Sequence, residues 1–381
     1  MKKIGIITQY YNSSNFGGLL QAYALCRYLE VAGYAPKQIM YNQYLKKTDL
    51  TKRKGSRNKY LAYVIKKYNN LLIKMNNKVH GVSNLRAQRR NACKEFRDSI
   101  PHTDRLYDES NISECVNDFD VFITGSDQVW RPSMFCPAFF LDFVDGSVKP
   151  KVSYAASVNS ELTDPNIRDV YAEKLKDFTT ISVREKRDVK SIQSLTKIPV
   201  HWALDPVFLL DQNQWSEIVQ GSGCKAPFVF CYFLGEGMKE RVIAEQYARK
   251  HGLKLVTIPY MHMNYRKCDR GFGDLRLVDV SPNLFLSLIR ESQFVFTDSF
   301  HASAFSIIFD KPFVVFGRDD HPEMSERIVS LTSLFHCEER YCSKDGNKNL
   351  AYVEALDNKH TKYQSSEYDL LLSESKRILD L

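Results

Sequence analysis

The chain has 381 residues, 44% of them apolar and 12% aromatic, with a formal net charge of +8. That length suits two domains of ordinary size, and the apolar content excludes a disordered or low-complexity chain. Its 17 glycines and 13 prolines exclude collagen-like and proline-rich designs, and the apolar runs fall short of the ~20 residues that cross a bilayer.

The chain opens with MKKIGIITQYY. The apolar run over residues 4–8 is too short for a secretory leader and reads as a first buried strand, so a cytoplasmic protein is expected. A polar loop over 12–18 follows. Helical spacing of Leu20, Ala24, Tyr28 and Val31 then predicts a helix over 19–31, closed by Gly33. Glycines at a strand-to-helix turn let backbone N–H groups approach an anion, which makes Asn15, Gly17 and Gly18 candidates for binding an anionic donor. The loop is neither G-x-G-x-x-G nor a Walker loop, so it indicates no dinucleotide or ATP; the glycines serving only the turn stays open.

Residues 46–97 carry sixteen Lys or Arg against Asp49 and Glu95, a local charge of +14 within a chain of +8, so the remainder carries −6. Apolar clusters at 60–65 and 71–75 interrupt the charge. Three readings stand: a solvated basic insertion, peripheral contact with the inner face of the cytoplasmic membrane or an anionic lipid-linked substrate, and nucleic-acid binding. The last lacks a recognised motif, and no nucleic-acid partner is expected.

A second buried strand over 120–124 ends in Gly125-Ser126-Asp127-Gln128-Val129-Trp130. Asp127 and Gln128 are suited to sugar hydroxyls, Asp127 also as general base, and Trp130 to stacking on a pyranose. The alternative is a helix-capping turn with Trp130 in the core. Further strands are expected over 152–157, 180–184 and 200–204, the last ending at Asp205-Pro206. A linker at 220–223 divides the chain into domains 1–218 and 219–381, the second with strands over 227–233, 254–258, 294–297 and 312–316 and helices over 240–251, 284–291 and 300–309. The alternation of strands and helices predicts α/β architecture, two such domains facing across a cleft.

Thr297-Asp298-Ser299-Phe300-His301 again joins a strand to a helix. Ser299 and its neighbours are candidate caps that leave N–H groups aimed at the cleft, and His301 in the first turn is suited to proton transfer near neutral pH. Arg184, Arg318 and Arg327 each follow a strand and are suited to bidentate binding of carboxylate or phosphate. Nine cysteines without C-x-x-C spacing read as buried free thiols. His336, Cys337 and Cys342 are the nearest approach to a zinc cluster, and no metal is expected. Serine-hydrolase, zincin and EF-hand patterns do not occur in the sequence.

Together, NFGGLLQAYAL, FDVFITGSDQVW, VSYAASVN, ISVREKRD, ALDPVFL and TDSFHASAFSIIFDKPFVVF resemble the polysaccharide pyruvyl transferase family. The resemblance implies two Rossmann-like domains in a GT-B-like arrangement. It implies phosphoenolpyruvate as donor substrate with no cofactor, and transfer of pyruvate as a ketal across two hydroxyls of a sugar with release of phosphate. The implied acceptor is a cell-surface glycan or its lipid-linked precursor, in exopolysaccharide biosynthesis. His301 matches the family's histidine at the helix entry. Where the family pattern has an arginine two residues earlier, this chain has Ser299, which leaves Arg184 or Arg327 to meet the phosphate. The expected assignment is His301 as acid and Asp127 as base; Arg184, Ser299, Arg327, Asn15, Gly17 and Gly18 on the donor; Gln128, Trp130 and Gln21 on the acceptor. Two other functions fit the same fold: a glycosyltransferase with a nucleotide-sugar donor, and a non-catalytic membrane-associated scaffold.

Overall fold

The computed structural model describes residues 1–42, 48–51, 59–260, 266–318, 325–343, 349–358 and 362–381. Residues 46, 47 and 52–58 of the basic segment, the side chains of 59–66 and 69, and residues 319–321 after Arg318 lie outside the described residues.

The first sheet comprises β1 (Lys3–Ile7), β2 (Ala35–Gln38), β3 (Val121–Thr124), β4 (Lys151–Ala156), β5 (Thr180–Val183) and β6 (Val200–Trp202). The second comprises β7 (Phe228–Tyr232), β8 (Lys254–Thr257), β9 (Leu275–Arg276), β10 (Phe294–Thr297), β11 (Phe313–Phe316) and β12 (Tyr341–Cys342). Their orders are β2-β1-β3-β4-β5-β6 and β12-β11-β10-β7-β8-β9, and neighbouring strands pair in parallel. Among the described residues twelve α-helices accompany them: α1 (Phe16–Val31), α2 (Lys59–Val79), α3 (Val82–Ser99), α4 (Pro165–Lys174), α5 (Lys186–Gln193), α6 (Gln212–Ser216), α7 (Met238–Lys250), α8 (Pro282–Glu291), α9 (Phe300–Ile308), α10 (Ser325–Leu334), α11 (Leu350–Asn358) and α12 (Ser366–Arg377).

Crossover helices cover both faces of a parallel sheet, so its central strands are buried throughout and read as unbroken apolar runs. Every residue of Phe228–Tyr232, Phe294–Thr297 and Phe313–Phe316 is buried. These runs made the strands legible. The short edge strands β2, β9 and β12 lack such a run and come only with the structure.

The strand orders position the site. In a doubly wound sheet the ligand crevice lies beyond the carboxyl ends of the strands where the order reverses. The first sheet reverses between β1 and β3, the second between β7 and β10. The loops leaving those strands are the ones that carry Gly17, Asp127, Leu234 and His301, and they meet.

One apolar cluster runs through both halves. Phe16 stacks on Phe285 at 4.6 Å between ring centroids, and Trp215 meets Phe305 edge-on at 4.9 Å. Each such aromatic pair adds roughly 1 kcal/mol beyond its area burial. The last helix returns to the first half: the Leu204 N–H donates to Ser375 Oγ at 2.9 Å, and the Leu381 N–H donates to the Tyr34 hydroxyl at 2.8 Å. None of the nine cysteines, all among the described residues, is in a disulfide, and seven are buried, Cys337 and Cys342 included. Among the described residues no helix is long and apolar enough to cross a membrane, and no group of three His, Cys, Asp or Glu is placed to hold a metal ion.

Candidate active site between the two sheets

The cleft has a volume of about 360 Å³ and is lined by residues from both halves, among them Asn15, Gly17, Asp127, Gln128, Ser299, His301, Arg318 and Arg327. Two helices enter it by their N-termini. Asn15 caps α1, its side chain accepting from the Gly17 N–H at 3.1 Å. Ser299 caps α9, accepting from the Ala302 N–H at 3.4 Å, and its carbonyl takes the Ser303 hydroxyl at 3.0 Å. Both positive helix ends therefore face the same space.

The consecutive glycines act on different partners. A methyl group at Gly17 would stand 2.0 Å from His301 Nδ1, so the imidazole rests on bare backbone there. A methyl at Gly18 would lie 3.2 Å from the Gln9 carbonyl and 3.6 Å from Asp127 Oδ2. The first turn of α1 thus seats the histidine on one residue and approaches the aspartate with the next. Neither glycine has a positive φ, so close approach, not backbone freedom, is what Gly17 supplies.

Asp127 sits in the left-handed region at φ 69°, a conformation that Asp tolerates better than most residues. Its carbonyl accepts from the N–H groups of Val129 at 2.7 Å and Ser157 at 3.0 Å, locking the turn after β3. Its carboxylate Oδ1 lies 4.0 Å from Arg184 Nη1.

Beneath the cleft lies a buried ionic network. Arg184 donates through Nη1 to Asp205 Oδ2 at 2.7 Å and through Nε to Glu185 Oε1 at 3.1 Å. Asp205 Oδ2 also takes the Ser126 hydroxyl at 3.2 Å and stands 3.6 Å from His301 Nε2, an ion-pair separation longer than a hydrogen bond. Burial alone would raise the Asp205 carboxyl; His301 and Arg184 outweigh it and hold the group well below the usual carboxylate range. Arg184 in turn is held above its ordinary value, because Glu185 and Asp205 overcome its own desolvation. Removing one partner of such a pair costs about 3–5 kcal/mol.

Arg327 is different. It is buried, its Nε is unpartnered, and its guanidinium faces the Phe300 ring at 5.7 Å, with that of Arg184 at 4.9 Å from the same ring. Among the described residues it makes no ion pair or hydrogen bond. Burial and then the nearby Arg184 charge push its pKa down to about 10. Of the two guanidiniums about this ring, that of Arg184 is already held by Asp205 and Glu185, whereas Arg327 lines the cleft without a counter-ion among the described residues.

Several expected site residues lie elsewhere. Trp130 is fully buried, stacked on Phe140 at 5.2 Å, and its indole N–H donates to the Phe139 carbonyl at 2.9 Å. It has no face open to a sugar, because the turn over 125–130 carries it back under the sheet; of the helix-capping alternative, the core Trp130 is found but the cap is not, for the Ser126 hydroxyl donates to Asp205 instead. Gln21 is likewise fully buried, donating to Thr8 Oγ1 at 3.1 Å and the Gly18 carbonyl at 2.9 Å, so it braces the glycine turn rather than facing an acceptor. Gln128 does line the cleft, its side-chain oxygen accepting from Arg131 and Asn159. Arg184 lies under the floor, one layer from the cavity. Gly18 supports the wall without lining it. Asp205, Glu185 and Phe300 join the site although the sequence alone did not mark them as site residues. The signal for Asp205 was its place in Ala203-Leu204-Asp205-Pro206, at the end of a predicted strand. Asp298 fixes the loop after β7, accepting from the Leu234 and Gly235 N–H groups, both at 2.6 Å.

Two parallel doubly wound sheets with facing switch points define a GT-B-like α/β protein. Solved structures with this arrangement include the UDP-N-acetylglucosamine 2-epimerases of Rickettsia bellii (TM-score 0.53, 10% identity, covering 100% of this chain and 96% of that one) and Methanocaldococcus jannaschii (0.52, 12%, 100% and 99%). That of Neisseria meningitidis, bound to UDP-N-acetylglucosamine, is similar too (0.50, 14%, 100% and 99%). At such identities the likeness is one of fold. A comparison with curated proteins finds no significant match. The sequence model of the polysaccharide pyruvyl transferases matches residues 15–320, and the chain belongs to that family. It is a transferase, of the class that moves pyruvyl groups to polysaccharide.

Proposed function

We propose that the protein transfers pyruvate from phosphoenolpyruvate onto two hydroxyls of one sugar, in a cell-surface polysaccharide or its lipid-linked precursor, forming a ketal and releasing phosphate. The observation that carries this reading is Arg327, without a counter-ion among the described residues, in a cleft that two helices enter by their N-termini beside the His301–Asp205 pair. A donor bearing both a phosphate and a carboxylate supplies the counter-charge that Arg327 lacks among the described residues and meets the two positive helix ends, and Arg327 stands in for the arginine that Ser299 replaces.

With Asp205 at Nε2, the proton available to the cleft is on His301 Nδ1, at the Gly17 turn. It goes to the methylene carbon of the donor, which becomes a methyl group. The adjacent carbon, now oxocarbenium-like, takes the first sugar hydroxyl, whose proton passes to Asp127. A second hydroxyl then replaces phosphate at the same carbon, its proton leaving with the phosphate, and the proton held by Asp127 is returned to His301. One C–O bond to phosphate breaks and two C–O bonds to the sugar form, so donor plus diol gives ketal plus inorganic phosphate. Arg184, Arg327 and the helix ends stabilise the charge gathered on the phosphate, and such preorganised electrostatics is the larger contribution.

Melting temperature measured with phosphoenolpyruvate and with UDP tests the donor. A ligand at 100 times its Kd stabilises by about 2.7 kcal/mol. Stabilisation by phosphoenolpyruvate alone is expected. Stabilisation by UDP alone would replace this reading with a nucleotide-sugar glycosyltransferase, and by neither with a non-catalytic scaffold. With isotopically labelled phosphoenolpyruvate and a diol glycoside, His301→Ala and Asp127→Ala each lose turnover; near-normal transfer in either removes that residue's role.

A further inference from the structure

α2 has five lysines and no acidic residue. Its described part exposes Tyr68 at 61%, Leu71 at 55%, Leu72 at 45%, Met75 at 58% and Val79 at 81% of their surfaces. At 3.6 residues per turn these five fall within roughly 100° of the helix circumference. Lys67, Lys74 and Lys78, all exposed, form a row along one border of that stripe, while Asn77 on the opposite side is buried. Single exposed apolar residues need no explanation, but five in one stripe make a contiguous patch of the kind that marks an interaction surface. An apolar stripe with a row of cations along one border, on a helix without an acidic residue, matches one surface best, that of a bilayer with anionic headgroups. The stripe enters the acyl boundary and the lysines reach the phosphates.

The second helix of the hairpin ties this surface to the cleft. Phe96 of α3 packs on Tyr23 of the first half at 5.4 Å. Arg89 Nε donates to the Val278 carbonyl of the second half at 2.8 Å, and Cys93 Sγ to that of Val280 at 3.8 Å. The Arg89 guanidinium also lies over the Phe16 ring at 4.9 Å, and Phe16 and Phe285 line the cleft. α3 therefore touches both halves directly behind the apolar wall of the site.

We propose that the exposed stripe of α2 is a docking surface for an anionic phospholipid bilayer, and that α3 holds the cleft at a set distance and tilt above it, where a lipid-anchored acceptor arrives. The proposal deepens the reading of a lipid-linked acceptor, but its evidence is independent of the donor.

The test is flotation of the full chain with phosphatidylglycerol–phosphatidylcholine vesicles and with pure phosphatidylcholine vesicles, at low and high salt. The wild type is expected to float with the anionic vesicles at low salt. Leu71→Ser/Leu72→Ser/Met75→Ser weakens partitioning by roughly a hundredfold or more, and Lys67→Gln/Lys74→Gln/Lys78→Gln by roughly a hundredfold at low salt and far less at high salt. All six side chains are exposed, and circular-dichroism melts verify that the variants stay folded. Unchanged flotation of the apolar-stripe variant overturns the proposal, as does equal binding to neutral vesicles or none at all. So does a dimer that the same variant dissolves, or retention of single-stranded DNA, without vesicle binding. The melting shift with phosphoenolpyruvate, read on the same samples, reports separately on the donor. A chain that floats and ignores phosphoenolpyruvate keeps this proposal and loses the pyruvyl-donor reading, and the converse result does the reverse.

Discussion

Replacing Gly17 by alanine isolates the contact that seats the imidazole. The added methyl would lie 2.0 Å from His301 Nδ1, 2.4 Å from Cε1 and 2.5 Å from Cγ. Carbon and nitrogen settle at about 3.5 Å, so the ring must retreat by roughly 1.5 Å. Asp205 closes one direction and the Phe300 ring, 5.2 Å away and edge-on, another. A displacement of about 1 Å costs about a hundredfold in rate, or ~2.7 kcal/mol on the barrier. Stability should change little. Overpacking costs about 1–3 kcal/mol, and alanine in place of glycine within a helix returns about 1 kcal/mol. The assay is phosphate release from phosphoenolpyruvate in the presence of a diol glycoside, with a thermal melt on the same preparation. Gly18→Ala is the control: its methyl meets the Gln9 carbonyl at 3.2 Å, a contact that small shifts relieve, and its rate should stay within about threefold of wild type. A folded Gly17→Ala protein that keeps more than about a third of wild-type turnover would refute the reasoning, for the ring would then have moved without consequence.

Two further outcomes follow from charges in and near the site. Arg327→Gln removes a cation that is desolvated and unpaired, so the melting temperature of the ligand-free protein should hold or rise while the stabilisation by phosphoenolpyruvate disappears; a lower melting temperature with donor stabilisation intact would show the residue to be structural. Burial, and then the Glu185 charge, raise the Asp188 carboxyl to about 7. The folded chain therefore keeps a proton that the unfolded chain releases near pH 4, and the contribution of this group to stability falls as pH climbs from about 4 to about 7, then levels off. Asp188→Asn removes that loss, so urea unfolding should show the variant gaining on the wild type across the window, by up to about 4 kcal/mol. A difference that stays constant from pH 4 to pH 8 would contradict it.

Most of the architecture was legible along the chain because buried parallel strands and strand-to-helix glycine turns leave local marks. Residues 294–297 and 312–316 are apolar runs with no alternation, and both central strands lie within or on them. Asn15, Asp127, Gln128, Ser299, His301 and Arg327, each named from its place after a strand or by resemblance, do line one cleft. Trp130 and Gln21 could not be placed this way. Whether a side chain after a strand points to solvent or under the sheet depends on the turn: the left-handed Asp127 and the carbonyls that follow it direct Trp130 inward.

What the sequence determined by itself was the set of strands, the helix entries and the chemical kinds of residue at each strand end, because these rest on local periodicity and capping. Only the tertiary structure decided which of them meet. Asp205 approaches His301, Gly17 bears the imidazole and Phe300 meets Arg184 because residues 96 to 284 positions apart are brought together by two sheets reversing their order at facing points, a relation that no local pattern encodes.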